Sequence, residues 1–158
     1  MKGFVNPESI AIIGASNDTT KIGGILVLNL INAGFDKERI YPVNPKGEDI
    51  QGLKSYTNVK EIGKPVDLAV ISIKNKFIIP EMDNLRDAGI KNATILTAGF
   101  KEDSAEGAEL ERQLVEKANE YGIRILGPNC FGNMDPKHKV NVTFAKLMPK
   151  AGNLSILS

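Results

Sequence analysis

The sequence is poor in the residues that build covalent and metal frameworks. It holds one cysteine, one histidine and no tryptophan in 158 residues. A lone cysteine cannot form an internal disulfide and argues against a cysteine-built zinc site. Disulfide scaffolds mark secreted chains, so the expected setting is a reducing cytoplasm. Long apolar runs are missing too, since none reaches the roughly 20 residues that cross a bilayer. The opening Met1-Lys-Gly-Phe-Val-Asn-Pro7 contains no signal-peptide core. Charge of one sign is also lacking. Lysine and arginine number 20 against 19 aspartate and glutamate, for a formal net charge of +1. That balance leaves no footprint for nucleic acid or a membrane surface. Repeats and low-complexity tracts are absent. What remains is 42% hydrophobic residues and a length that suits one domain with a full core.

The most informative stretch is Ile10-Ala-Ile-Ile-Gly-Ala-Ser-Asn-Asp-Thr-Thr-Lys-Ile-Gly-Gly24. Ile10 to Ile13 form a short apolar run of the buried-strand kind. Gly14 breaks it, small and polar residues follow, and a helical pattern begins near Lys21. A strand, a small-residue turn and a helix aim backbone N–H groups and a helix dipole at an anion. Residues 14–24 therefore read as an anion cradle. The alternative is an ordinary tight turn in which Gly14 serves sterics alone.

Further along, apolar runs predict strands at 9–14, 39–44, 67–73, 92–97, 123–126 and 154–157. Pro42 cannot donate to a ladder, which puts the second strand near an edge. Helices are predicted from about 21 to Gly34, from about 76 to Gly89, and from Ser104 to Gly122. The first carries Ile22, Ile25, Leu26, Leu28, Leu30 and Ile31 as its apolar residues. Phe4 to Ser9 reads as a short lead-in, and residues 133–153 as a polar loop with an irregular piece at 140–144. Strands alternating with helices imply right-handed βαβ units. The predicted fold is α/β, a Rossmann-like open parallel sheet with helices on both faces, and its ligand belongs at the carboxyl ends of the strands.

A dinucleotide is the first ligand such a sheet suggests, but two details oppose it. The turn is not G-x-G-x-x-G, because Ser16 and Thr19 stand where glycines would. The acid that holds a ribose hydroxyl belongs at the end of the second strand. There the sequence has Val43, Asn44, Pro45 and Lys46, a cation in place of a carboxylate.

Six segments occur in order: Ser9-Ile-Ala-Ile-Ile-Gly-Ala-Ser16, Lys21-Ile-Gly-Gly24, Ile40-Tyr-Pro-Val-Asn-Pro-Lys46, Asp67-Leu-Ala-Val-Ile71, Thr97-Ala-Gly-Phe100 and Gly127-Pro-Asn-Cys130. Together they resemble the N-terminal CoA-binding domain of NDP-forming acyl-CoA synthetases. The likeness is strongest to the alpha part of ADP-forming acetate–CoA ligase and more distant to the alpha subunit of succinyl-CoA synthetase. It runs over essentially the whole chain, which is then expected to be one CoA-binding domain, the N-terminal part of a longer synthetase.

The resemblance implies coenzyme A or acyl-CoA as ligand, and the remaining synthetase domains or subunit as partners. It implies that Gly14, Ala15, Ser16, Asn17, Lys21 and Gly23 wrap the CoA phosphates. Val43, Asn44 and Lys46 then meet the phosphate-bearing nucleotide end. Ile73 and Lys74 lie beside the nucleotide or pantetheine, although the family commonly has proline at the position of Lys74. Thr97, Ala98 and Gly99 line the pantetheine path, and Asn129 and Cys130 sit near the thiol. Cys130 has no base beside it and reads as a wall residue, not a nucleophile. His138 stands in a basic loop, reads as a surface residue, and does not match the family's phosphorylated histidine. No catalytic residue is assigned. The rival readings are a stand-alone CoA-binding module without enzyme activity and an NAD-binding redox sensor.

Overall fold

The computed structural model describes residues 2–145 and 147–153. Five parallel strands make the main sheet: β1 (Ile10–Ile13), β2 (Ile40–Val43), β3 (Leu68–Ile71), β4 (Asn92–Ile95) and β5 (Arg124–Leu126). Their spatial order is β2-β1-β3-β4-β5. The chain first steps outward from β1 to β2 and then returns to place β3 on the other side of β1. That reversal opens a crevice at the carboxyl ends of β1 and β3, where such sheets bind ligands.

Sequence explains the layers. β1 and β3 are buried along their whole length, as a strand covered on both faces must be. Ala11, Ile13, Ala69, Ile71 and Ile95 turn to one face and pack with helices α3 (Ile78–Asp87) and α4 (Ala105–Tyr121). Ile10, Ile12, Leu68 and Val70 turn to the other, against helix α2 (Ile22–Ala33). Leu26, Val27 and Leu30 of α2 are fully buried there. Each contributes about 1.5–3 kcal/mol by leaving water. Helices thus cover both faces, as expected. The ends also follow the sequence: Gly34 and Gly122 close α2 and α4 in the left-handed region, and the Ser104 hydroxyl caps α4 by accepting the Gly107 N–H. β2 lies at the sheet edge, which tolerates Pro42.

The expected loop after β5 is instead a hairpin. β6 (Gly132–Asp135) pairs antiparallel with β7 (Val140–Thr143), and β7 packs on α2. Val140 and Val142 are fully buried, while buried Asn141 and Thr143 satisfy each other through a 2.8 Å bond from Thr143 Oγ1. Asn29 of α2 donates to the carbonyls of Thr143 and Ala145 at 2.8 and 2.9 Å. The hairpin shifts the buried stripe of α2. Asn29 is inside, whereas Ile22 and Leu28 are exposed. The lead-in contains a single helical turn, α1 (Lys2–Val5), whose Phe4 carbonyl accepts from Asn133 Nδ2. The strand expected at 154–157 lies outside the described residues.

Candidate functional site

The turn from β1 into α2 is compressed by its glycines. Gly14 has φ 91°, and a Cβ there would stand 2.8 Å from the Ser72 carbonyl oxygen. A Cβ on Gly23 would stand 1.9 Å from the Gly14 carbonyl oxygen, and one on Gly24 2.1 Å from that of Asp18. The pair Gly23-Gly24 thus lets the first turn of α2 press onto the strand end.

The N–H groups of this turn divide into two sets. Gly14 and Ala15 both donate to the Val43 carbonyl, at 3.0 and 3.2 Å. Asp18 donates to Ser16 Oγ, Thr20 to Asp18 Oδ1 and Lys21 to the Asp18 carbonyl. Those of Ser16, Asn17, Thr19, Ile22 and Gly23 have no internal acceptor among the described residues. Gly14 and Ala15, expected among the phosphate contacts, thus have their N–H groups occupied within the fold, and the unbonded N–H groups of the turn begin at Ser16. Asp18 carries charge into the same turn. Hydrogen bonds from the Thr20 hydroxyl and N–H hold its carboxyl below the usual range. Lys21 lies 3.6 Å from it in an exposed, loose pair. Such pairs contribute little, so the Lys21 ammonium is free to meet another anion.

Asn17 and Asn44, both expected as ligand contacts, spend their side chains on the fold. Asn17 Nδ2 donates to the Asp49 carbonyl at 2.9 Å, and its Oδ1 accepts the Gln51 N–H at 2.7 Å. Asn44 Nδ2 donates to the Ala15 carbonyl at 2.7 Å, and its Oδ1 accepts the Lys46 N–H at 2.9 Å. Lys46 itself is exposed on the turn after β2.

Beside the turn lies a pocket of about 520 Å³. Ile22 at the start of α2, Ser72, Ile73 and Lys74 after β3, and Leu96, Thr97 and Ala98 after β4 line it, together with Asn129, Cys130, Phe131 and Phe144. Six of the expected site residues meet here: Ile73, Lys74, Thr97, Ala98, Asn129 and Cys130. Thr97 ties the walls together, its hydroxyl donating to the Ile73 carbonyl at 2.7 Å and its own carbonyl accepting the Asn129 N–H at 2.9 Å. Cys130 faces the Ile95 carbonyl at 3.4 Å, and burial pushes its thiol up. A thiol held protonated is a poor nucleophile, in line with the wall reading.

Gly99 is not part of that lining. Its N–H and that of Phe100 donate to Glu102 Oε1 at 2.8 and 3.2 Å. The backbone N–H groups of Glu102, Gly99 and Phe100 hold this carboxyl below its usual range. Asn75 Nδ2 takes the Gly99 carbonyl at 2.7 Å. Sequence reasoning missed Glu102, although its spacing from Gly99 matches a side chain reaching back to a turn. It also missed Phe131 and Phe144, exposed rings whose edge-to-face contact, at 4.4 Å between centroids, stands at the pocket rim.

His138 is not a free surface residue. It is half-buried, with Nδ1 2.6 Å from Asp135 Oδ2. Among the described residues no group of His, Cys, Asp and Glu could hold a metal, and no helix is long and apolar enough to cross a membrane.

The fold, the cradle and the pocket define a nucleotide-type binding domain of the parallel α/β class. The profile of the CoA binding domain matches residues 8–136, and the chain belongs to that family. It is 43% identical over 155 residues to the alpha subunit of ADP-forming acetate–CoA ligase II of Pyrococcus furiosus, covering 98% of this chain and 33% of that protein. A Pyrococcus horikoshii OT3 crystal structure matches with TM-score 0.90 at 43% identity, covering 97% of this chain and 35% of that one. The dinucleotide forming acetyl-coenzyme A synthetase 1 of Ca. Korarchaeum cryptofilum, in complex with phosphate and ADP, matches with TM-score 0.84 at 41% identity, over 90% of this chain and 30% of that one. The chain spans about a third of the length of these relatives.

Proposed function

We propose that this chain is the CoA grip of an ADP-forming acyl-CoA synthetase, which interconverts acyl-CoA, ADP and phosphate with a free acid, CoA and ATP. The observation that carries the reading is the continuity of two features. The free N–H groups between Ser16 and Gly23 lie beside a largely apolar pocket that Ile22, at the start of α2, lines together with Asn129 and Cys130. A phosphate-bearing head with a long neutral arm and a thiol tip suits that arrangement. Lys46 stands where an NAD site has an acid, and suits the extra phosphate of CoA.

In this account Ser16, Asn17, Lys21, Ile22 and Gly23 hold the phosphates, and Gly14 and Gly23 let them come close. Thr97 and Ala98 flank the arm, with Ile73 and Lys74 opposite. Asn129 and Cys130 form the floor at the thiol. Neither the thiol of Cys130 nor His138, paired with Asp135, acts as a catalyst. Phosphoryl transfer then belongs to further synthetase parts, in the same chain or in a partner subunit, in a cytoplasmic setting. Calorimetry with CoA, 3′-dephospho-CoA and NAD tests the reading. Heat with CoA, weaker heat with dephospho-CoA and none with NAD supports it. Tight NAD binding without CoA heat overturns it in favour of a redox sensor.

A further inference from the structure

We infer that Asn44 and Gln51 are positioning residues, which aim the N–H groups of Ser16 and Asn17 at ligand phosphate by holding the carbonyls of Ala15 and Ser16. The inference rests on the CoA reading of the site. Asn44 Nδ2 donates to the Ala15 carbonyl at 2.7 Å. Gln51 Nε2 donates to the Ser16 carbonyl at 3.1 Å and to the Gly24 carbonyl at 2.9 Å. In a planar trans peptide the C=O and the following N–H point opposite ways. Pinning the Ala15 carbonyl toward Asn44 turns the Ser16 N–H away from it. Pinning the Ser16 carbonyl toward Gln51 does the same for the Asn17 N–H. These are the first two free donors of the cradle.

Gln51 fills this place at two visible costs. Its backbone sits at φ 51°, in the left-handed region that side chains disfavour. Its Oε1 is buried without a hydrogen-bond partner. Strain and an orphaned oxygen both oppose folding, and such features persist where the surroundings enforce them for function. A space-filling methionine or leucine would avoid the second cost. The donor end of Gln51 is the part in use, since it takes two carbonyls of the cradle at once.

The same stitching extends to the cation. The Gln51 N–H donates to Asn17 Oδ1, and Asn17 Nδ2 donates to the Asp49 carbonyl. Asn44 Oδ1 accepts the Lys46 N–H. Residues 44–51 therefore carry Lys46 and the backbone donors in one frame. Preorganised donors bind an anion without first paying to order themselves.

Gln51→Met tests this, because it keeps the length and removes the donors. Gln51→Lys restores a donor and deletes the orphaned oxygen, and is measured at high salt to screen its added charge. Binding is followed by calorimetry for CoA, and by amide shifts of Thr97 and Ala98 for pantetheine, which lacks phosphate. Gln51→Met is expected to weaken CoA about tenfold, the scale of a lost hydrogen bond to a charged group, with pantetheine within twofold of wild type. Gln51→Lys is expected to regain most of the CoA affinity. Asn44→Ser carries the same expectation as Gln51→Met and serves should that variant fail to fold by circular dichroism. CoA affinity unchanged in both Gln51→Met and Asn44→Ser overturns the inference. Equal loss of CoA and pantetheine also overturns it, since that is merely structural damage. A wild-type chain without CoA heat fails earlier and sinks the CoA reading itself.

Discussion

Two turns leave the carboxyl ends of β1 and β4, with β3 between them, and lead into helices, yet they dispose of their N–H groups differently. After β1, Ser16, Asn17, Ile22 and Gly23 keep their donors free of internal acceptors among the described residues. After β4, Gly99 and Phe100 give theirs to the carboxylate of Glu102. Both turns carry glycine at positive φ, Gly14 at 91° and Gly99 at 93°. In the first turn the Asp18 carboxylate takes only the Thr20 N–H of the backbone donors, whereas in the second Glu102 takes both the Gly99 and Phe100 N–H groups. The first turn is open to a ligand and the second is closed by residue 102.

The comparison breaks most severely at Gly23. A Cβ 1.9 Å from the Gly14 carbonyl leaves no room between α2 and the strand end. Gly23→Val is expected to cost about 3 kcal/mol or more, the upper range for overpacking, and to abolish CoA binding. Urea unfolding and calorimetry measure the two effects. Gly14→Val combines φ 91° with a 2.8 Å approach to the Ser72 carbonyl and is expected to behave similarly. Next comes Lys46→Ala, expected to weaken CoA by about 2 kcal/mol, the scale of a charged hydrogen bond. The loss shrinks as salt rises, because the Lys46 side chain is exposed.

Opening the closed turn sharpens the contrast with a smaller effect. Glu102→Ala frees the Gly99 and Phe100 N–H groups but removes nothing from the pocket lining. Their amides are expected to exchange faster with solvent, while CoA affinity stays within twofold. The smallest effect lies in the hairpin. Burial opposes the charge on Asp135, but hydrogen bonding and charge from His138, with the N–H groups of Lys137 and His138, outweigh it. Its carboxyl is held below its ordinary value of 3.8. A depressed carboxyl stabilises the fold above that value and loses the contribution as pH falls through its folded value. Asp135→Asn is expected to lower stability at neutral pH and to flatten the acid limb of a thermal-denaturation profile.

The strands were legible because continuous apolar runs such as Leu68-Ala-Val-Ile71 need no partner to be recognised. The pocket walls were legible through the resemblance at 97–100 and 127–130. The hairpin was not, because Val140 and Val142 are buried in a cluster with Leu26, Val27 and Leu30 of α2, more than a hundred residues earlier. For the same reason nothing local marks Asn29, whose side chain donates to the carbonyls of Thr143 and Ala145. Gln51 was invisible for a different cause. Its side chain reaches back 35 positions to Ser16, and no local pattern marks such a reach. Asn17 was expected at the cradle and Asn44 at the nucleotide end as ligand contacts, but both side chains bond to neighbouring backbone, which no local pattern announces.

The most direct test of the open and closed turns is an amide-resolved NMR titration of the chain with CoA. The account predicts that Ser16, Asn17, Ile22 and Gly23 shift most among the turn amides and become protected from exchange. Gly99 and Phe100, already bonded to Glu102, then shift far less. Large shifts at Gly99 and Phe100 with a silent stretch from Ser16 to Gly23 would contradict it, and would move the phosphate site to the β4 turn.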